Sequence, residues 1–343
     1  MKKKLFLFFI VLGLLVNCLN AQIFYVDVLN GNDINPGLAE APFQSISKAV
    51  TVANRLTGKG SITIRVMPGI YTLEDKVAIN PVRILDDTSR FIIEAGIMPD
   101  DDLWSPEKMP VIQSISGNNS TTFFPHSTGF LVSSINVTIS GLKFLGNANP
   151  LVDYYYPIAK EDQTLKDLEV SQCYFIGNKE AAKIQGAVWA HGPGNTISHC
   201  IFYQCRNAVL FFNNVDGFTI KNSIVTGAYE SAFWFGPDDF KFNFTNNVIA
   251  NNNNFLVGRS AELKFSSAFS NSVIANNNGF AGYWSREKKA IIPIAKPNIV
   301  EKKIIKSGAI NLIVNNAVKL DKKHLHLTED SKGYRLAAGI FKK

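Results

Sequence analysis

An all-β chain wound as a parallel solenoid is the architecture this sequence points to, and three features predict it. The first is a repeat: residues 139–144, 170–175, 197–202, 220–225, 244–249 and 269–274 align, with starts 31, 27, 23, 24 and 25 residues apart. The second is strand-like alternation of apolar with small or polar residues in each copy, with no 3.6-residue helical period. The third is the chemistry of the gaps, where Gly177-Asn178, Asn251 to Asn254 and Asn276 to Gly279 supply residues that accept tight corners. A second short apolar run follows about eleven residues later in most copies, at 187–190, 208–212, 232–235, 255–257 and 280–284. One such winding cannot bury its own inward face, so the stack is the cooperative unit. Leu142, Cys173, Cys200, Ser223, Asn247 and Ser272 then form one column. Cys173 and Cys200 read as small core residues, and Cys205 as a more exposed turn residue.

The composition agrees. Among 343 residues, 46% are hydrophobic and 18% charged, which excludes a disordered chain, a coiled coil and a collagen-like repeat. Four Cys are too few for a disulfide scaffold. Residues 1–21 read as a secretory signal: Lys2, Lys3 and Lys4, an apolar run over 5–16, and a small residue at Ala21. The run falls short of the ~20 residues that span a bilayer. Cleavage after Ala21 and a secreted or periplasmic protein without a membrane span are therefore expected. Export also weighs against a nucleic-acid partner. The formal charge of +7 is uneven, since residues 286–343 hold 14 Lys and Arg against five Asp and Glu while 22–285 is mildly acidic. That asymmetry suits an anionic partner, although solvated lysines are the plainer reading.

Along the chain, residues 22–285 form the expected solenoid domain and 286–343 a basic extension that completes or caps it. The opening contains Phe24-Tyr25-Val26-Asp27, Asn30-Gly31-Asn32-Asp33, Pro36-Gly37 and Ala41-Pro42-Phe43. Residues 47–55, free of Gly and Pro, predict a short N-terminal capping helix. Residues 62–66 with Met67-Pro68-Gly69-Ile70-Tyr71 predict the first strand and its turn. Together with the repeat, these segments resemble the right-handed parallel β-helix, or pectate-lyase-like, superfamily of secreted bacterial proteins over roughly residues 24–285.

That resemblance implies carbohydrate-active enzymes, chiefly lyases of uronic-acid polymers and inverting glycoside hydrolases. Elimination needs a neutraliser for the uronate carboxylate, a base for the C5 proton and an acid for the group leaving C4. Arg or bound Ca²⁺ can neutralise; Lys, Arg, His and Tyr can move protons. Aligning the second runs puts His191, Phe212, Gly236, Arg259 and Trp284 at one level, with Trp189 and Trp234 two residues before it. Asp238, Asp239, Glu262 and Lys264 lie just beyond, and Tyr154, Tyr155 and Tyr156 occupy a long loop. The expected catalytic residues are His191 as base or acid, Tyr155 as the middle of its tyrosine partners, and Arg259 as carboxylate neutraliser. Trp189, Trp234, Asp238, Lys264 and Tyr156 are expected to bind substrate. His126 is a lesser candidate.

The Lys and Arg pair of chondroitinase-B-like and alginate-lyase-like relatives finds no match at the equivalent levels. Lys183 and Arg206, 23 residues apart, fall in turn segments. The expected ligand is an anionic poly- or oligosaccharide bound by a monomer. An inverting hydrolase, which needs two carboxylates about 6.5–9.5 Å apart, and a non-catalytic glycan-binding surface protein stay open as alternatives.

Overall fold

The computed structural model describes residues 22–121, 124–236, 242–261, 264–314 and 321–342, with the side chains of 264–267 and 298 set aside. The export signal expected at residues 1–21 lies outside this range. Successive windings stack in parallel, and each contributes three short strands. On the first face, Val137–Ser140, Leu168–Ser171, Thr196–Ser198, Phe218–Lys221 and Phe242–Thr245 pair in order. On the second, Lys143–Leu145, Tyr174–Ile176, Ile201–Tyr203, Ile224–Thr226 and Val248–Ala250 do the same. The third runs through Ser127–Val132, Tyr155–Lys160, Val188–Ala190, Asn207–Phe211, Ser231–Phe235, Asn254–Gly258 and Gly279–Ser285.

The aligned hexapeptides are thus, with one exception, not single strands. Each of the first five holds the end of one strand, a corner and the start of the next, while 269–274 lies within the single strand Lys264–Ala275 that spans both faces. The corner residue adopts the left-handed backbone region at Gly141, Gln172, His199, Asn222, Asn246 and Asn271. Asn carries that conformation more readily than most residues because its short amide bonds locally. The next residues, Leu142, Cys173, Cys200, Ser223, Asn247 and Ser272, turn inward and are buried, as their column predicts. Their polar members form a ladder up the stack. Ser223 Oγ accepts from the Cys200 amide at 3.2 Å, Asn247 Oδ1 from the Ser223 amide at 2.9 Å, and Ser272 Oγ from the Asn247 amide at 3.0 Å. Cys205, expected at a more exposed turn, is also buried. It occupies the inner corner between the second and third faces, where Asn252 and Asn277 continue a similar ladder.

Apolar columns fill the interior. Phe144, Phe175 and Phe202 stack with centroids 5.0 and 4.8 Å apart, near the ~4.8 Å spacing of paired strands. The helix α1 (Ile46–Asn54) packs Ile46, Ala49, Val50 and Ala53 against the first windings, and Ser45 caps it by accepting from the Lys48 amide. Asp33 of the opening motif holds that cap, since its carboxylate accepts from the Gln44 and Ser45 amides and the Ser45 hydroxyl at 2.7–2.9 Å.

At the other end, Ala290–Pro293 pairs antiparallel with Gly279–Ser285, and Asn298–Ile305 lies parallel on Lys264–Ala275. The chain then reverses. Ile310, Leu325, Leu327, Ala338 and Ile340 cover the outward Tyr174, Ile201, Ile224, Val248 and Val273 of the second face. No helix among the described residues is long and apolar enough to cross a membrane.

Candidate active-site groove

Alternation along the third face decides what reaches solvent on that side. Val188, Val209 and Phe233 point into the core, while Trp189, Leu210 and Trp234 point outward. The register pairs Trp189 with Leu210, Leu210 with Trp234, and Phe235 with Gly258. His191, Phe212, Gly236, Arg259 and Trp284 therefore follow at one level, as the alignment of the second runs predicts.

Across this surface runs a groove of about 400 Å³. Phe124, Tyr154 and Tyr156 form one end; Trp234, Arg259 and Trp284 form the other. Its middle is lined by Gln185, Arg206, Asn207, Leu210, Phe212 and Glu230. Phe212 and Trp234 stack at 5.8 Å, and the Arg259 guanidinium lies 5.4 Å from the first ring and 5.8 Å from the second. Such contact orients the cation while leaving its donors available. Trp234, Arg259 and Trp284 also border a neighbouring hollow that adds Arg286 and Glu287.

A polar row from three consecutive windings crosses the middle. Arg206 donates to Gln185 Oε1 at 3.2 Å and to Glu230 Oε1 at 3.0 Å, while Asn207 donates to Glu230 Oε2 at 2.7 Å. Burial opposes the Arg206 charge, yet Glu230, with Tyr229 and Tyr154 adding, holds its pKa above the ordinary value. Burial, reinforced by the Tyr154 and Glu230 fields against that of Arg206, pushes the Tyr156 hydroxyl up and keeps it protonated.

The tyrosine assignment changes. Tyr155 is 1% exposed and belongs to the interior cluster, so it is not placed to meet a ligand; Tyr154, 38% exposed, and Tyr156 line the groove instead. The cause is a change of phase that the windings share. Tyr155 is inward, Tyr156 outward, Ile158 inward and Ala159 outward, and at the level of Pro157 and Ile158 the next windings turn two successive residues inward, Ala187 with Val188, Ala208 with Val209 and Ala232 with Phe233. Strict alternation therefore does not carry through the start of this face.

His191 does not join Arg259 in the groove. Both touch Phe212, but His191 lies in a separate small hollow with His126, Lys160 and Trp189. Trp189 itself is nearly buried, contacting Tyr156 at 4.5 Å and Phe124 at 6.4 Å, and forms the ridge between the two depressions. Trp234 faces the groove as expected. Asp238, with Asp239 and Glu262, lies outside the described residues, and Lys264 opens a strand whose first side chains are likewise outside them. Sequence reading missed Glu230 and left Arg206 among the turns. Their 24-residue separation, one winding, was the legible sign. Among the described residues no cluster of three or more His, Cys, Asp or Glu suits a metal ion, so the Ca²⁺ expectation finds no ligand set there.

Fold and surface together define a stacked parallel-coil protein with a lateral groove that is aromatic and cationic at one end. No family model matches the chain, and no curated protein matches its sequence. Among solved structures, a rhamnogalacturonan lyase shares the fold with a TM-score of 0.53 at 12% identity, over 77% of this chain and 70% of that one. A GH136 lacto-N-biosidase from Eubacterium ramulus gives 0.49 at 11% identity, over 78% of this chain and 58% of its own.

Proposed function

We propose that this protein is an exported carbohydrate-active enzyme that cleaves a uronic-acid-containing glycan by β-elimination in the lateral groove. One observation carries the reading. A guanidinium rests on paired aromatic faces at one end of the groove, two tyrosines stand at the other, and Glu230 is the sole carboxylate among the described residues lining the space.

In this reading Arg259 holds a uronate carboxylate at its end of the groove and sets the register of the chain, while Arg206, whose charge interacts with Tyr154 and Tyr156, faces the carboxylate of the uronate that reacts and favours the carbanion-like charge that develops as the C5 proton leaves. Tyr154, reacting as its phenolate, takes that proton and becomes the neutral phenol. The C5–H electron pair becomes the C4–C5 double bond, the C4–O bond breaks, and Tyr156, kept protonated by burial, supplies the proton to the departing oxygen. Glu230 is engaged by Arg206 and Asn207, which makes it an organiser of the groove floor rather than half of a hydrolytic pair. His191 is left out of proton transfer because burial, with Lys160 second, lowers its pKa to about 4, far from the range of an efficient base near neutrality. The fold likeness to a rhamnogalacturonan lyase supports the class of chemistry by analogy alone.

A panel of anionic plant and algal oligosaccharides tests the reading. New ultraviolet absorbance from an unsaturated uronate is the expected result, and Tyr154→Phe should lower kcat by roughly 10²–10⁴. Reducing ends without that absorbance would replace the reading with hydrolysis. Binding without turnover would replace it with a glycan-binding surface protein.

A further inference from the structure

The small hollow beside the groove gathers two lysines and two histidines around one carboxylate, that of Glu161. Its volume is about 100 Å³, and Lys76, His126, Lys160, Glu161, Trp189 and His191 are among its lining residues. Sites for whole small molecules occupy roughly 300–1,000 Å³, and a water occupies about 30 Å³. The space therefore suits one charged group with a water or two rather than a sugar ring.

Lys160 is 2% exposed, and its ammonium donates to Leu165 O at 2.7 Å and Asn195 Oδ1 at 2.8 Å. Both acceptors are neutral, and an ammonium has a third donor. Among the described residues no carboxylate lies within ion-pair distance of it; Asp167 acts only from farther away. Lys76 likewise bonds a carbonyl, Asn119 O, at 2.8 Å. His191 is 7% exposed, and its buried Nδ1 has no hydrogen-bond partner. Burial brings Lys160 down to about 7, and burial with the Lys160 field brings His191 to about 4, against a smaller opposing effect of Asp162. Burial also lowers His126, with the Lys76 field adding and the Phe124 carbonyl opposing. A cation removed from water and left with neutral dipoles is costly, and an entering anion would relieve that cost.

We propose that this hollow is an anion subsite that receives one carboxylate of the glycan. The sugar chain then crosses the Trp189 ridge, placing one acidic residue at Arg259 and the carboxylate of another against Lys160, Lys76 and His191. The identity of the occupant rests on the groove reading, and the substrate so defined carries at least two uronates.

Imidazole resonances followed by NMR across pH, with sodium glucuronate as probe and glucose as neutral control, test it on the intact chain. Glucuronate should shift the His191 signals and raise its titration midpoint by about one pH unit, a tenfold stronger hold on the proton. Glucose should do neither. Lys160→Met should weaken the glucuronate effect at least tenfold; since Lys160 also pins a corner, Lys76→Gln, which leaves that corner intact, should weaken it severalfold. An unresponsive His191, an equal response to glucose, or undiminished binding in the folded variants overturns the subsite. Equal affinity for inorganic sulfate overturns its assignment to a carboxylate. The titration needs no turnover. A responding His191 in a protein inactive on every uronate leaves the hollow standing while the groove reading falls, and elimination with a silent His191 does the reverse.

Discussion

Asn247 is fully buried, yet every polar group it offers is used across the stack. Its Oδ1 accepts from the Ser223 amide, its Nδ2 donates to Ile220 O at 2.9 Å, and its own amide donates to Ser272 Oγ. Asn247→Ala would strand a buried N–H and a buried carbonyl, at about 1–3 kcal/mol each. Denaturant unfolding should therefore show a lower midpoint with an unchanged slope. A loss below about 0.5 kcal/mol, the range of ordinary surface changes, would mean that water or a shifted neighbour replaces the amide. Its neighbour Asn246 holds the left-handed corner with φ of 58°, so Asn246→Gly should be nearly neutral. The inward column was legible because the hexapeptides align. The corner was less so, since Gln172 adopts the same conformation without belonging to the residue types that advertise it.

At the scale of elements, the strands divide by how far a period of two survives in them. Val188–Ala190 keeps it, so the level shared by His191, Phe212 and Arg259 was readable from spacing alone. Tyr155–Lys160 does not, and the slip it shares with the windings that hold Ala187-Val188 and Ala208-Val209 puts Tyr155 inside and Tyr156 on the groove side. A one-residue change of phase moves a side chain from one side of a sheet to the other, which is why site residues are harder to read than folds. The returning C-terminal segment has its own marker in His326. The ring stacks on Phe341 at 5.0 Å, its Nε2 accepts from the Ile340 amide at 3.1 Å, and burial chiefly lowers its pKa to about 4. An unfolded histidine titrates near 6.5, so below that pH the unfolded chain takes up a proton that the folded one refuses. Stability is complete above about pH 6.5, declines as the pH falls toward 4, and levels off below. The full drop is about 3 kcal/mol for this group. His326→Gln keeps an acceptor for Ile340 and should flatten the decline by one proton's worth. His191, similarly lowered, should account for a further share. Identical pH dependence in His326→Gln and the parent protein would place the acid sensitivity elsewhere.

For the whole molecule, the returning segment poses a question of balance between charge and apolar contact. Residues 286–343 are strongly basic, which suggests attachment by ion pairing to the mildly acidic stack. The contacts argue otherwise. The segment docks through Ile310, Leu325, Leu327, Ala338 and Ile340, and through main-chain groups: Ile340 O to Gln172, Leu336 O and the Gly339 amide to Asn222, His324 O to Tyr174. The surface beneath was written in the repeat, since Tyr174, Ile201, Ile224, Val248 and Val273 make those strands apolar on both sides. Runs without alternation belong to sheets covered on both faces. The segment that does the covering lacks a period of its own, so its path could not be read from spacing. Ending the chain after Ile305 should leave the windings paired, with far-ultraviolet dichroism close to that of the parent, yet expose this apolar stripe. Burial of one such side chain is worth about 1.5–3 kcal/mol, and an uncovered patch of this kind invites association. The shortened protein should therefore bind a hydrophobic dye, unfold at lower denaturant and aggregate. Because salt screens exposed charges over roughly 8–10 Å but does not weaken apolar burial, molar salt should leave the intact protein's dye binding unchanged. Release of the segment by salt alone would show that its lysines, not its isoleucines and leucines, hold it in place.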